Sequence, residues 1–187
     1  MAGPAVEVTL ASTPLNPSTP NLTLLDRLAS VLATGAGAGL SSWAPGTLGS
    51  LEGVLLFLAY SSMGRAALDK TPIGLPTSLS IINLLVFAIG VWAANRVCRL
   101  TGLEDPQKVV IDEINGQMIA LTPVVVSPTV AAVIVGFVLF RTLDILKPYP
   151  IRRLERLHGG LGVMADDALA GIFSAAFVWA GRHFGLI

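Results

Sequence analysis

The stretch FRTLDILKPYPIRRLERLHGGLGVMADDALAG, residues 140–171, decides the fold because it joins the charged ends of two apolar segments. Only 13% of the chain is charged, yet one apolar run ends here in Arg141, Asp144 and Lys147. The next apolar run opens with a pair of carboxylates at 166–167, after a glycine-rich turn. This pattern predicts two hydrophobic helices whose charged ends lie at the same place.

The composition limits the class of protein. Hydrophobic residues make up 53% of the 187 residues, and the mean hydropathy of +0.73 is high for a soluble globular protein. The net charge is zero and the pI is about 6.7, so no basic excess indicates nucleic-acid binding. The single Cys98 excludes an intrachain disulfide and a four-cysteine zinc site.

The rest of the chain has the pattern of short helices. Residues 1–22 are rich in Pro, Thr and Ser and predict a disordered leader, and residues 23–187 predict one helical membrane domain. Leucines at helical spacing predict an amphipathic helix over 23–32, and the segment 34–50 is too rich in glycine for regular structure. Hydrophobic helices are predicted at 47–63, 78–96, 109–122, 129–146 and 167–184.

These elements predict an all-α fold, a compact bundle of about five short hydrophobic helices, transmembrane by composition, plus short amphipathic helices. Residues 114–140 carry no charge and are too many for one helix, so Pro123 and Pro128 place a turn between two. When the helices alternate across a bilayer from a cytoplasmic N-terminus, nine of the 12 Lys and Arg residues share one side, as expected of cytoplasmic loops. We therefore expect a multi-pass protein with its site on the cytoplasmic face.

Two acidic groups are predicted to reach that face. If the helix predicted at 109–122 extended back far enough, Asp105 would share a face with Asp112. Asp112 and Glu113 are adjacent and therefore about 100° apart around the helix, so only one of these two should point into a given site. Asp166 and Asp167 form the second group. Paired carboxylates beside a phosphate suit Mg²⁺, which binds through a few carboxylates plus substrate oxygens. Solvated helix starts and helix caps are the competing interpretations.

Cations and hydroxyls complete the predicted site. Arg141, Asp144 and Lys147 wind along one broad helix face, where a guanidinium and an ammonium suit a doubly charged phosphate. An internal Arg141–Asp144 ion pair is the alternative. Thr47 and Ser50 are candidate phosphate-binding hydroxyls that also suit helix capping.

The basic segment after these residues adds a further candidate surface. Arg152, Arg153 and Arg156 lie on a short amphipathic segment that suits an anionic lipid surface, and an ordinary solvated face is equally compatible.

Four motifs in this chain resemble those of the phosphatidylglycerophosphatase A family. They are APGTLGS (44–50), VIDEINGQ (110–117), FRTLDILKPYPI (140–151) and GGLGVMADDALAG (159–171). Members of that family are bacterial Mg²⁺-dependent phosphatases of the inner membrane, and they convert phosphatidylglycerophosphate to phosphatidylglycerol. The resemblance implies functional roles for Asp112, Glu113, Arg141, Asp144, Lys147, Asp166 and Asp167.

We therefore expect a lipid phosphatase of phospholipid biosynthesis, in the inner membrane, with its active site facing the cytoplasm. Mg²⁺ would be held by carboxylates drawn from Asp112, Glu113, Asp166 and Asp167. Attack by water and a phospho-aspartate intermediate both fit the sequence. A small ion- or proton-coupled transporter is the main alternative, although it predicts acids near the middle of the spans. A non-catalytic scaffold would need no acid pairs, and a lipid phosphotransferase would be expected to contain a DGxxAR stretch.

Overall fold

The computed structural model describes residues 22–68 and 74–187. The α-helices of these residues, numbered in chain order, are α1 (Leu24–Ala33), α2 (Pro45–Leu68), α3 (Gly74–Thr101), α4 (Ile111–Leu121), α5 (Val130–Leu146), α6 (Ile151–Leu154) and α7 (Gly160–His183). Short 3₁₀ segments lie at Gly35–Leu40 and Thr122–Val124. The described residues contain no β-strand, which confirms the predicted all-α class.

The predicted hydrophobic runs overlap five of these helices, but several boundaries differ; α3, for example, spans Gly74–Thr101 rather than 78–96. α7 begins at Gly160 rather than at Asp167, so the predicted glycine-rich turn supplies its first helical turn. Glycine is needed there because a Cβ at Gly160 would strike the carbonyl oxygen of Val91 on α3. α2 begins at Pro45. Proline suits this position because the first residue of a helix needs no backbone N–H for an intrahelical hydrogen bond. The segment 34–50 is therefore partly helical.

Other predictions concern the ends of the chain and the basic segment. The predicted leader, 1–22, lies outside the described residues except for Leu22. The amphipathic helix predicted over 23–32 corresponds to α1. In the predicted basic amphipathic segment, only the four-residue α6 is helical, so Arg156 lies beyond its end.

Among the residues that the structure describes, two helices are long and apolar enough to cross a bilayer, α3 and α7. α4 has 11 residues and α5 has 17, against the roughly 20 that the hydrocarbon core requires. The expectation of about five spans is therefore loose, whereas the expected helical bundle is present.

α4 is the central helix, and nine of its 11 residues are buried. It packs against α2, α3, α5 and α7. Its contact with α7 is backbone to backbone, because a Cβ on Gly116 would lie 2.7 Å from the carbonyl oxygen of Asp167 and one on Gly171 would strike the carbonyl oxygen of Gly116. On the α2 side, a Cβ on Gly53 would lie 2.7 Å from the carbonyl oxygen of Ile114. Small residues permit such close crossings.

An ion pair joins α1 to α3. Thr23 and Asp26 form a capping box at the start of α1, and Asp26 also lies 2.5 Å from Nε of Arg96. The hydrogen bonds from the side chains of Thr23 and Arg96 lower the pKa of Asp26 from 3.8 to about 2. A charged Asp26 therefore stabilises the docking of α1.

Replacing Gly171 by alanine should strain the crossing of α4 and α7. The new Cβ would strike the carbonyl oxygen of Gly116, and a rigid backbone atom cannot turn away. Overpacking of this kind costs about 1–3 kcal/mol, which should lower the melting temperature of the purified protein in detergent by roughly 5 °C. Gly181→Ala is the matched control on the same helix, because its Cβ would meet only the Ile187 side chain, at 3.1 Å. Equal melting temperatures for the two variants would contradict the proposed constraint.

Asp26→Asn should destabilise the protein in a pH-dependent way. Because the folded state lowers the pKa of Asp26 to about 2, its charge contributes stability above about pH 4, and this contribution is lost as the pH falls towards 2. The difference in melting temperature between wild type and variant should therefore be full at pH 7 and shrink between pH 4 and pH 2. The exposed Asp105→Asn serves as control and should follow wild type throughout. A difference that persists at pH 2 would argue against this role of the charge.

Candidate active site

Three carboxylates meet where α4 and α7 adjoin. Asp112 and Glu113 lie in the first turn of α4, and Asp167 lies on α7. One oxygen from each carboxylate lies within 4.8 Å of the other two. Asp112 and Asp167 are buried, and Glu113 is half-buried. The start of a helix favours negative charge, but carboxylates this close repel one another strongly in a low-dielectric interior. The cluster is therefore suited to a positively charged ligand.

One geometric expectation about the acids is wrong, and the condition attached to another is not met. Adjacent helix positions predict that only one of Asp112 and Glu113 points into the site, but both carboxylates join Asp167. The cavity lies over the first turn of α4, so neighbouring positions both face it, and Glu113 reaches Gly46 of α2. α4 does not extend back to Asp105, so no shared helix face aligns this residue, which is exposed and lines the cavity from the preceding loop.

Arg141 is held on two sides. Its Nη1 lies 2.6 Å from Oδ2 of Asp144, so the ion pair considered from the sequence is present. The same nitrogen donates to Oγ of Ser50 at 3.4 Å, and the Ser50 hydroxyl donates to the carbonyl oxygen of Gly46 at 2.9 Å. Thr47 lies on the cavity wall nearby. A guanidinium fixed in this way keeps its orientation and still has N–H donors for a ligand.

Lys147 connects the end of α5 to α7. Its Nζ lies 2.5 Å from Oδ2 of Asp166 and 3.1 Å from Oε1 of Glu155. Burial alone would lower the pKa of Lys147. The hydrogen bond to Asp166, the negative charge of Asp166 and the hydrogen bond to Glu155 raise this pKa instead, so the ammonium remains protonated. The sequence did not single out Glu155, whose only signal is its position among arginines. Asp166 is therefore directed at a cation rather than at the three-carboxylate cluster.

The charged side chains surround one cavity of about 380 Å³. The structure brings together all the charged residues that the sequence predicted for the site, together with Thr47, whereas Ser50 lies behind Arg141. Five carboxylates and two cations make up this predicted set, so acids exceed bases by three even without the exposed Asp105. The set consists of Asp112, Glu113, Asp144, Asp166 and Asp167 with Arg141 and Lys147.

Unpaired oxygens mark the place where a metal ion would fit. Within the described part of the chain, Oδ1 of Asp112, Oε2 of Glu113 and Oδ2 of Asp167 are buried without a hydrogen-bond partner. A buried acceptor without a partner costs about 1–3 kcal/mol. The residues present therefore fit a metal centre.

A family model and two known proteins carry the same name. The family model described as Phosphatidylglycerophosphatase A matches residues 31–182. "Phosphatidylglycerophosphatase A" of Escherichia coli is 37% identical over 83% of this chain and 85% of its own length. The protein of the same name from Haemophilus influenzae is 36% identical over 83% of this chain and 90% of its own length.

A third relative carries another name. "Putative phosphatidylinositol-3-phosphatase" of Bacteroides thetaiotaomicron is 40% identical over 81% of this chain and 92% of its own length. No solved structure matches the chain significantly.

Asp167→Asn should weaken the binding of divalent cations, because it removes one charge from the three-carboxylate cluster. We expect a loss of affinity of about tenfold or more, since one lost charge-assisted contact contributes at least about 1.5 kcal/mol. Paramagnetic resonance of Mn²⁺ titrated into the purified protein measures this affinity directly.

Two variants serve as controls for that titration. Asp166→Asn should keep its affinity, because its carboxylate is paired with Lys147, and the exposed Asp105→Asn should keep it as well. Equal losses in Asp166→Asn and Asp167→Asn would extend the ligand set to Asp166. Unchanged affinity in Asp167→Asn would contradict a metal centre at the cluster.

Proposed function

Since the chain belongs to the phosphatidylglycerophosphatase A family and is therefore a phosphatase, we propose that it hydrolyses the terminal phosphate monoester of phosphatidylglycerophosphate. The products are phosphatidylglycerol and inorganic phosphate. The observation that carries this proposal is a single cavity combining three unpaired carboxylate oxygens with Arg141 and Lys147. The acids gather around one cavity, with Asp166 and Asp167 about two turns into α7, rather than along a path through the bundle, which argues against the transporter alternative.

We assign Mg²⁺ to Asp112, Glu113 and Asp167. Their all-oxygen donor set and their repulsion in the absence of a cation support this assignment. When bound, Mg²⁺ supplies positive charge that stabilises the charge developing on the phosphoryl oxygens. Asp166, the fourth ligand considered from the sequence, has its Oδ2 2.5 Å from Nζ of Lys147, so we assign it the positioning of that ammonium.

The chain's cations are placed to receive the phosphate. Arg141, fixed by Asp144 and Ser50, offers its remaining N–H donors to the phosphoryl oxygens, and Lys147 adds a point charge. Thr47 offers a hydroxyl from the start of α2. In the net reaction a water oxygen bonds to phosphorus, the bond from phosphorus to the glycerol oxygen breaks, and that oxygen takes up a proton. Donors fixed in advance favour this step because they need no reorganisation.

We place the protein in the bacterial inner membrane as a multi-pass protein, with the cavity at the cytoplasmic surface. α3 and α7 have the length and composition of membrane spans, and only 28% of the most apolar part of α3 is buried. Exposed leucines and aromatic residues such as Leu84, Phe177 and Trp179 present an apolar surface that lipid chains would cover. A site at the headgroup level suits a substrate whose phosphate is in water and whose chains are in the bilayer.

Phosphate release from phosphatidylglycerophosphate by the purified full-length protein tests the proposal. We expect release with Mg²⁺, its loss with a chelator, and its recovery when Mg²⁺ is restored in excess. Arg141→Lys keeps the charge but loses the fork, so kcat/KM should fall by about tenfold or more. The exposed Arg99→Lys is the matched control and should retain wild-type activity.

Phosphatidylinositol 3-phosphate is the comparison substrate, because one relative is named for it. A higher kcat/KM for that lipid would reassign the substrate within the same reaction class. Absence of phosphate release from either lipid, with the protein folded and Mg²⁺ present, would refute the proposed function.

A further inference from the structure

A second polar depression lies beside the active-site cavity. It has a volume of about 420 Å³ and we call it the arginine pocket. Its charged and aromatic lining consists of Lys147, Tyr149, Arg152, Arg153 and Arg156. The proposed hydrolysis of the terminal monoester uses Lys147 from this set and leaves the other four side chains without a role.

The arginines of this pocket are available to a ligand. Arg152, Arg153 and Arg156 are exposed, and none of them forms an ion pair with an acid in the described part of the chain. The guanidinium carbon of Arg153 lies 4.9 Å from the centre of the Tyr149 ring, an arrangement that orients the group while leaving its N–H donors at the edge free. Three arginines in a lining that contains no acid favour an anion, and planar forks suit the oxygens of a phosphate.

The arginine pocket and the active-site cavity share a wall. Lys147 lines both of them, and it is held in place by Asp166 on one side and Glu155 on the other. A ligand that filled both depressions would therefore need two anionic groups, one on each side of Lys147.

The pocket also lies next to an apolar surface. Ile145, Leu146 and Tyr149 are 68%, 70% and 73% exposed, although they are large hydrophobic residues. Arginines beside exposed apolar and aromatic side chains are typical of the headgroup level of a bilayer. This is the depth at which the phosphodiester of a phospholipid lies.

We propose that the arginine pocket binds the phosphodiester of the same lipid molecule whose terminal monoester enters the active-site cavity. The inference rests on the proposed function and extends it, because phosphatidylglycerophosphate carries a diester and a monoester joined through one glycerol. The pocket thereby selects lipids that have both groups. Phosphatidic acid, whose monoester is attached directly to diacylglycerol, lacks the group that this pocket binds.

The double variant Arg152→Gln/Arg156→Gln tests the proposal in micelles of an uncharged detergent, where the substrate supplies the only phosphodiester. We expect KM for phosphatidylglycerophosphate to rise about tenfold with kcat nearly unchanged, since lost charge-assisted hydrogen bonds weaken binding without touching the reacting group. Arg99→Gln is the matched control, an exposed arginine outside the pocket, and should leave KM unchanged. Unchanged melting temperatures should accompany both variants.

Comparison substrates separate this role from a general one. Phosphatidic acid and the soluble para-nitrophenyl phosphate carry a monoester without a diester, so wild type and the double variant should treat each of them equally. An equal loss on these substrates would overturn the proposal. An unchanged KM for phosphatidylglycerophosphate would overturn it as well. A loss of activity that arises only when phosphatidylserine is added as bulk anionic lipid would also overturn it, because the pocket would then bind the membrane surface.

A binding measurement keeps the pocket testable apart from the reaction. Phosphatidylglycerol has the diester alone, so its binding to wild type in the same micelles should exceed its binding to the double variant about tenfold. Equal binding would refute the arginine pocket even if hydrolysis were established. Absence of phosphate release together with unequal binding would instead refute the proposed function and retain the pocket.

Discussion

The backbone contact between Gly116 on α4 and Gly171 on α7 is the constraint on which the rest of the structure depends. Two helices approach this closely only where no Cβ intervenes, and a Cβ on either glycine would meet backbone atoms of the other helix. Each glycine follows a carboxylate by four residues, Asp112 on α4 and Asp167 on α7, so each acid lies on the same helix face as its glycine. The crossing therefore sets the distance between the two acids, and a wider crossing would separate the cluster.

The distribution of charge follows from this crossing. The acids of the site cannot all remain ionised next to one another without cations, because the bundle removes them from water. Within the cavity, Arg141 compensates Asp144 through a contact of 2.6 Å, and Lys147, which also contacts Glu155, compensates Asp166 through one of 2.5 Å. The three-carboxylate cluster keeps its excess of negative charge and its unpaired oxygens. The site thus separates into one part suited to a metal ion and another suited to a phosphate.

Much of the fold and of the candidate site could be predicted from the sequence. Leucine spacing and prolines such as Pro123 predicted the helices, because periodicity and missing backbone donors act locally. The helix starts at Gly160 and Pro45 were missed because glycine and proline usually indicate turns. Here Gly160 is favoured by its close packing against α3, and Pro45 is favoured by the first position of a helix. Glu155 was missed because its partner, Lys147, is distant enough in the chain to leave no periodic signal.

The sequence by itself determined the helical class, the apolar character and the chemistry of the charged residues, because residue type and local spacing decide these properties. Only the tertiary structure decided which acid faces which partner. Asp166 and Asp167 are adjacent in sequence, yet the helical turn directs one to Lys147 and the other to Asp112 and Glu113. That division depends on how α4, α5 and α7 cross, and crossings are fixed by the packing of distant residues, which no local pattern encodes.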